Sequence, residues 1–277
     1  MIGGLSANGP SGPGGPHGPN GRGSGAKPSH AYAAWGDYWA GVLDDWIGGE
    51  IDADCLAVLC DLADGGDVLE LGIGTGRVAI PLARSGLTVH GFELSDAMIE
   101  KLREKPYGDK ITVFQENYVD VAVEGTYRLV PWIDWGPVLL HSQEEQLTCF
   151  RNVAKCLEPG GHFVIEMPTR LPLPDGRGNG DGNEHLVVES INPSSVGLWA
   201  VDYNPVDQTM FTQQVLLEDG SVTVKPVRMR YASASELDLM ARMAGLELCH
   251  RWADWRRSPI SSSSPAHISV YRKPPSS

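Results

Sequence analysis

No run of about twenty apolar residues occurs in the chain, so no membrane-spanning helix is expected. The N-terminus also lacks a charged start followed by an apolar stretch, the mark of a secretory leader, and a cytoplasmic location is the expectation. Cysteine is sparse. Cys55, Cys60, Cys149, Cys156 and Cys249 form no C-x-x-C pair and do not stand beside histidines at ligand spacing, so they read as reduced thiols and no metal site is expected. Basic residues are outnumbered, 22 Lys and Arg against 35 Asp and Glu, for a formal charge of −13. That balance argues against nucleic acid and against an anionic membrane surface as partners, because both demand concentrated positive charge.

Glycine and proline, by contrast, are crowded at the start. Residues 1–29, "MIGGLSANGPSGPGGPHGPNGRGSGAKPS", have too few apolar side chains to offset the entropy of ordering and read as a disordered tail. From His30 the segment "HAYAAWGDYWAGVLDDWIGG" places aromatic and aliphatic residues at helical spacing, a stripe that packs on the domain or closes over a ligand through Trp35, Tyr38 or Trp39. A second helix follows in "IDADCLAVLCDLADG", with Asp52 as N-cap and Gly65 as C-cap.

Strands and helices then alternate. "DVLELGIG", "TVHGFELS", "ITVFQENY", "YRLVPWID" and "HFVIEMP" read as strands, and most are separated by helical segments such as "GRVAIPLARSG" and "SQEEQLTCFRNVAKCLEPGG", the latter closed by Pro-Gly-Gly. This rhythm predicts an α/β fold, Rossmann-like and doubly wound, on a mostly parallel seven-stranded sheet whose ligand sits at the carboxyl ends of the strands. After a loop at 171–183, successive strands joined by turn signals predict an antiparallel β lid inserted after the fifth strand. The expected division is a core of 30–170 and 226–277 with a lid of 171–225. "SASELDLMARMAGL" then reads as a helix capped by Ser233 or Ser235, followed by two final strands.

The chemistry concentrates around "LELGIGTGR". A dinucleotide fingerprint wants G-x-G-x-x-G, whereas here Gly72, Gly74 and Gly76 are spaced by single residues and Arg77 stands where the last fingerprint glycine falls, which weakens a pyrophosphate reading. Glu70 ends the first strand before the turn and Glu93 ends the second, where a carboxylate can accept from the diol of an adenosine ribose.

Together "VLELGIGTGR" and "VHGFELSDAM" resemble the first two motifs of class I S-adenosylmethionine-dependent methyltransferases, and the resemblance extends over roughly residues 32–273, toward the small-molecule branch of bacterial tailoring enzymes. It implies S-adenosyl-L-methionine as cofactor, with S-adenosyl-L-homocysteine as product. It also implies that Gly72, Gly74 and Gly76 let backbone approach the methionine and sugar, that Glu70 supports the turn and the amino group, that Glu93 binds the ribose, and that Leu94 and Met98 pack on adenine. Where the family often has Asp, this chain has Asn117, whose oxygen can accept from the adenine amino group, with Tyr118 available to stack. Tyr38 and Trp132 join the cofactor side of this expected site.

After the fourth strand the family's aromatic-Asn-Thr-Leu sequence is replaced by "PWIDWGP". Methyl transfer needs alignment, exclusion of water and management of the acceptor's proton. Asp134 is the candidate general base or orienting group, His141 the alternative, and Trp35, Trp135 and Glu166 are candidates for holding the acceptor. Tryptophans suit a flat apolar molecule, so an aromatic or heteroaromatic metabolite of indole type is the expected substrate, with a sugar, amine or polyketide hydroxyl as the alternative. A non-catalytic S-adenosylmethionine-binding protein is the further reading. A short-chain oxidoreductase would need a Tyr-x-x-x-Lys pair downstream, and a protein or nucleic-acid methyltransferase an Asn/Asp-Pro-Pro-Tyr motif; neither is present. Assembly as a homodimer stays open.

Overall fold

Among the described residues, four of the five α-helices begin on a side chain that accepts from a first-turn amide, and Ala79–Arg84, which follows Val78, is the exception. The structure, a computed structural model, describes residues 36–37, 39–41, 43–44, 49–120, 126–134, 136–169 and 184–275. The expected tail at 1–29, the loop at 171–183, and Trp35, Tyr38 and Trp135 lie outside the described residues. Helix α1, Ala53–Ala63, starts on Asp52, whose carboxylate accepts from the Cys55 amide at 2.8 Å. It ends on Asp64 in the left-handed region, one residue before the expected Gly65. Helix α2 is Ala79–Arg84, and α3, Asp96–Glu104, is capped by Ser95. Ser142 and Glu145 form a reciprocal capping box at the head of α4, Gln143–Cys156, and Ser233 caps α5, Ala234–Met243.

The core strands are β1 Val68–Leu71, β2 Val89–Phe92, β3 Thr112–Phe114, β4 Tyr127–Trp132 and β5 Leu157–Pro168, completed by β10 Glu247–Trp252 and β11 Ala266–Arg272. They form one sheet in the order β10-β11-β5-β4-β1-β2-β3, parallel except where β11 runs antiparallel to both its neighbours. The α/β fold with its mostly parallel seven-stranded sheet is therefore the one expected. One local expectation differs. Pro159-Gly160-Gly161 does not close α4 but lies inside β5, because Pro159 bars helix at the residue before it and Gly160 and Gly161 pair with Lys273 through backbone bonds of 2.8 and 2.9 Å.

Apolar side chains cover both faces of this sheet. Trp132, Phe150, Phe163 and Tyr271 anchor one layer, and Leu59, Leu82, Leu102 and Ile111 the other, all fully buried. All four residues of β1 are buried, Glu70 among them.

Between β5 and α5 a second sheet is inserted, an antiparallel meander of β6 Glu184–Ile191, β7 Ser195–Asn204, β8 Thr209–Glu218 and β9 Ser221–Arg230. Strand β9 runs through the expected boundary at residue 225. Pro226 is tolerated there because β9 is an edge strand and the missing N–H leaves no inner ladder bond unmade. The end of β9 is clamped to the core: buried Arg230 pairs with Glu236 at 2.7 Å, and Gln146 on α4 donates to the carbonyls of Arg230 and Pro137 at 3.3 and 2.9 Å.

Candidate active site

The turn from β1 into α2 is built on positive φ values of 77°, 54° and 88° at Gly72, Gly74 and Gly76, a conformation that L side chains resist. The three glycines serve different ends. A Cβ at Gly72 would meet nothing within 4 Å, so this glycine faces open space, whereas a Cβ at Gly76 would stand 2.3 Å from Leu102 Cδ1. Gly76 is therefore a packing glycine between α2 and α3 and does not line the cavity described next.

A cavity of about 1180 Å³ opens at the carboxyl ends of β1, β2 and β4. Gly72, Gly74, Glu70, Glu93, Leu94 and Met98 form its floor, and Asn117, Tyr118, Trp132, Asp134 and His141 one side. The inner face of the inserted sheet forms the opposite wall through residues that sequence reading did not single out, Trp199, Val201, Met210, Val227 and Met229. Their register explains the shared face: Met210 is opposite Met229, and Thr212 stands between Val201 and Val227.

Glu93 is held by backbone. Its carboxylate accepts from the amides of Gly74 at 2.9 Å, Leu94 at 2.8 Å and Ser95 at 2.9 Å. Burial raises its carboxyl pKa and these three amides oppose the rise. The result is a rigid acceptor beside the glycine turn. Glu70 is more deeply buried, and its Oε2 has no hydrogen-bond partner. Desolvation first, and then the charges of Asp134 and Glu93, push its pKa well above the usual carboxylate range.

Asp134 sits in the left-handed region at φ 55°, and Arg77 Nη1 donates to both of its oxygens at 2.8 and 2.9 Å. Burial raises the Asp134 carboxyl while Arg77 opposes the rise. Glu166 does not line the cavity; it lies behind this pair, accepting the Asp134 amide at 3.4 Å, and burial followed by the Asp134 charge raises its pKa. Asn117 Oδ1 accepts from the Val119 amide at 3.0 Å, closing an Asx turn that fixes the side chain. Trp132 is wholly buried, stacked on Phe163 at 6.1 Å, and its indole N–H has no partner. Tyr118 packs edge-on against Trp132 at 5.6 Å.

His141 meets strand β9, donating from its ring to the Arg228 backbone carbonyl. Burial first and the Arg228 charge next lower its pKa, which leaves the imidazole neutral near neutral pH. The N-terminal segment is tied to the same site by Asp37, which accepts from Ser95 Oγ at 2.6 Å, and by Asp44, which accepts from Thr75 Oγ1 at 2.5 Å and pairs with Lys105 at 2.6 Å. Trp39 packs on Met98, and Lys225 of the inserted sheet stands 5.5 Å over the Trp39 ring.

Comparison with known proteins identifies this constellation. Residues 68–161 match a family described as a methyltransferase domain. The CcbJ methyltransferase from Streptomyces caelestis is 36% identical, with a TM-score of 0.77 over 88% of this chain and 99% of that one. The chain belongs to the class I S-adenosylmethionine-dependent methyltransferases, in their small-molecule, natural-product branch. The cypemycin N-terminal methyltransferase of a Streptomyces species is 26% identical to this methyltransferase over 198 residues, 67% of this chain and 74% of the relative. CalS10, an amino pentose methyltransferase from Micromonospora echinaspora solved with S-adenosylmethionine, shares the fold at a TM-score of 0.57 and 14% identity, covering 80% of this chain and 89% of that one.

The cofactor class fits the residues present. An open glycine at position 72, a carboxylate held rigid by three amides, and a buried Glu70 oxygen lacking a partner suit a cationic nucleoside better than a pyrophosphate. Around the glycine turn the charges of Asp134 and Glu93 act on Glu70 against that of Arg77, a local excess of carboxylate that favours a positively charged ligand there. Among the described residues no helix is long and apolar enough to cross a membrane.

Proposed function

We propose that this methyltransferase acts on a small molecule with a flat, apolar body, aromatic or heteroaromatic in character, and that His141 handles the acceptor's proton. The observation that carries the reading is the continuity of one cavity from the glycine turn and Glu93 to an apolar wall of Trp199, Met210, Val227 and Met229. S-adenosylmethionine, when bound, supplies an electrophilic methyl group on a sulfonium. In this reading Glu93 takes the ribose hydroxyls, Leu94 and Met98 flank the adenine, and Asn117 and Tyr118 border its edge. Arg77 and Asp134 together match a carboxylate and an ammonium, so the pair receives the amino-acid end, and Glu70 reinforces the ammonium from below. Asp134, with both oxygens on Arg77, is then an orienting group rather than the base. The neutral His141 imidazole has the protonation state that a general base needs.

A second reading takes the acceptor as an amine on a non-aromatic scaffold. It is favoured by the acidic character of the site, and it agrees with the peptide N-terminus named for the Streptomyces relative.

Incubation with S-adenosylmethionine and a panel of indoles, phenols, aromatic amines, amino sugars and short peptides tests both. Mass spectrometry is expected to find a product heavier by one methylene, about 14 Da, among the aromatic members, since methylation exchanges a hydrogen for a methyl group. Products confined to amino sugars or peptides would favour the second reading. Calorimetry on Glu93→Ala is expected to show cofactor affinity reduced by about 10- to 100-fold, the range for a lost charge-assisted hydrogen bond. Unchanged affinity would remove Glu93 from the site.

A further inference from the structure

The charged residues that line the cavity are sorted by sign. The part built on the parallel sheet carries the carboxylates Glu70, Glu93, Glu116 and Asp134, and the cation on that side, Arg77, donates to both oxygens of Asp134. The inserted segment, 184–230, is rich in acid, yet Glu184, Glu189, Asp202, Asp207, Glu218 and Asp219 all lie off the cavity. Among the described residues, the charged side chains it gives to the lining are Lys225 and Arg228, both on β9 and both cationic. For a chain of formal charge −13 this wall runs against the average.

The strand places both cations. Lys225 stands opposite Gln214, which is opposite Trp199, so it belongs to the row that faces the cavity. It is half-buried, with its ammonium 5.5 Å over the ring of Trp39. Arg228 stands exposed at the rim, its backbone carbonyl on the His141 ring and its charge within reach of the imidazole. Two residues further on, Arg230 is buried and paired with Glu236 at 2.7 Å, whereas Arg228 enters no ion pair among the described residues. The first guanidinium serves the fold, and the second is available to a ligand.

We propose that the acceptor carries a carboxylate, and that Lys225 and Arg228 receive it and turn the acceptor so that its reacting atom points toward the glycine turn. This rests on the reading of the cavity as a methyl-transfer site and narrows its substrate class. A guanidinium offers paired N–H donors that match a carboxylate, and an ammonium adds a point charge. The reversed pose would set the acid end among Glu93, Glu116 and Asp134, where like charges repel it, so one field both attracts the right orientation and rejects the wrong one. A monoanion suits the cavity better than a phosphate dianion, on which those same carboxylates act twice as strongly. Because the Arg228 carbonyl holds the His141 ring, an acid docked on Arg228 also lies beside the group assigned to the acceptor's proton.

Matched acceptors that differ by one carboxylate test this: tryptophan against tryptamine, p-aminobenzoate against aniline, and a short peptide against its C-terminal amide. With S-adenosylmethionine, kcat/KM is expected to favour the acid of at least one pair by at least about tenfold, the worth of a charge-assisted hydrogen bond. Calorimetry on the full chain loaded with S-adenosyl-L-homocysteine is expected to rank that pair in the same order. Lys225→Gln and Arg228→Gln are each expected to cut the preference at least about threefold, and Arg228→Lys to keep part of it. Arg242→Gln, which removes an exposed cation on α5, is expected to keep it whole. A ratio between paired acceptors cancels any general loss of folding or activity, so a lysine that only packed on Trp39 would leave it unmoved. Acids neither turned over faster nor bound more tightly than their uncharged counterparts overturn the proposal, and so does a preference that both glutamine variants leave intact. Aromatic pairs methylated without regard to the carboxylate overturn it while the aromatic reading stands; a preference shown by the peptide pair alone upholds it while the aromatic reading fails.

Discussion

The two sheets of this protein place similar apolar residues under different obligations. In the parallel sheet every residue of β1 is buried, and helices cover both faces, so side chains such as Leu69 and Val164 are fixed by the need to fill a core. In the inserted sheet, Val201, Met210 and Val227 are buried on one face, while Leu186 and Val222 on the other remain 68% and 63% exposed. No core explains those last residues. The contrast teaches where selection by ligand or partner can act: the parallel sheet answers to the fold, and the inserted sheet answers to what touches it. Substitutions in the first should damage stability, and substitutions around the second should damage chemistry while leaving the fold intact.

The largest expected effect breaks the core side of this comparison. Gly76 combines a φ of 88° with a Cβ position 2.3 Å from Leu102 and 2.9 Å from Ile80, so a side chain there meets backbone strain and overpacking at once. Gly76→Val is expected to cost more than about 4 kcal/mol, beyond the ordinary range for a point substitution. Urea unfolding followed by circular dichroism measures it; a loss under about 1 kcal/mol would mean that the turn re-forms around the new side chain.

The next effect belongs to the junction of the two sheets. His141 follows β4 but bonds the carbonyl of Arg228 on β9, so it reads the position of the inserted sheet directly. His141→Gln is expected to lower kcat by about 100-fold with little change in melting temperature, within the range for removal of a general base. The pH profile sharpens the test. Burial holds the imidazole below the ordinary histidine value, and a base works only when unprotonated, so the wild-type rate should climb through that lowered pKa and level off before neutrality. The variant should lose this acid limb. Retention of the limb would assign it to another group.

How much of this was legible from sequence follows from how local each feature is. The glycine turn, Glu70 and Glu93 were readable because β1, the turn and the end of β2 are close in the chain, and the spacing itself encodes the φ values. The cap residues Asp52 and Ser233 were readable for the same reason. The Arg77–Asp134 pair was not, since it joins residues 57 apart, and only the left-handed backbone at Asp134 brings the carboxylate back over the turn. Nor did sequence place Glu166, which looked like an acceptor ligand and stands behind that pair. Pro159-Gly160-Gly161 misled because a helix stop and a strand that borrows backbone partners from Lys273 share one composition. The double-sided character of the inserted sheet did leave a trace. Leu186-Val187-Val188 and Val215-Leu216-Leu217 are consecutive apolar residues, and a sheet with one wet face would alternate.

The smallest expected effect concerns the floor of the cavity, where the fold tolerates a cost for its ligand. Glu70 occupies a fully buried strand with one oxygen lacking a partner, and desolvation, Asp134 and Glu93 together raise its pKa. A carboxyl whose folded pKa is raised holds its proton in the native state after the unfolded chain has lost it. Native stability therefore falls as pH rises from the unfolded carboxylate value toward the folded one, by at most about 1.4 kcal/mol per pH unit for one proton. Glu93, Asp134 and Glu166 are raised too, so the slope is shared. Glu70→Gln removes one contributor. Its melting temperature without cofactor, measured from about pH 5 to about pH 8, should decline less steeply than that of the wild-type chain, the difference amounting to a few degrees where each kcal/mol is worth about 2–4 °C. Cofactor affinity should weaken in the same variant, since the carboxylate that burdens the empty fold is the one assigned to meet the ammonium. An unchanged slope would mean that Glu70 ionises in the folded chain much as it does in the unfolded one, and the stored electrostatic cost would then have to lie with Asp134 and Glu166 instead.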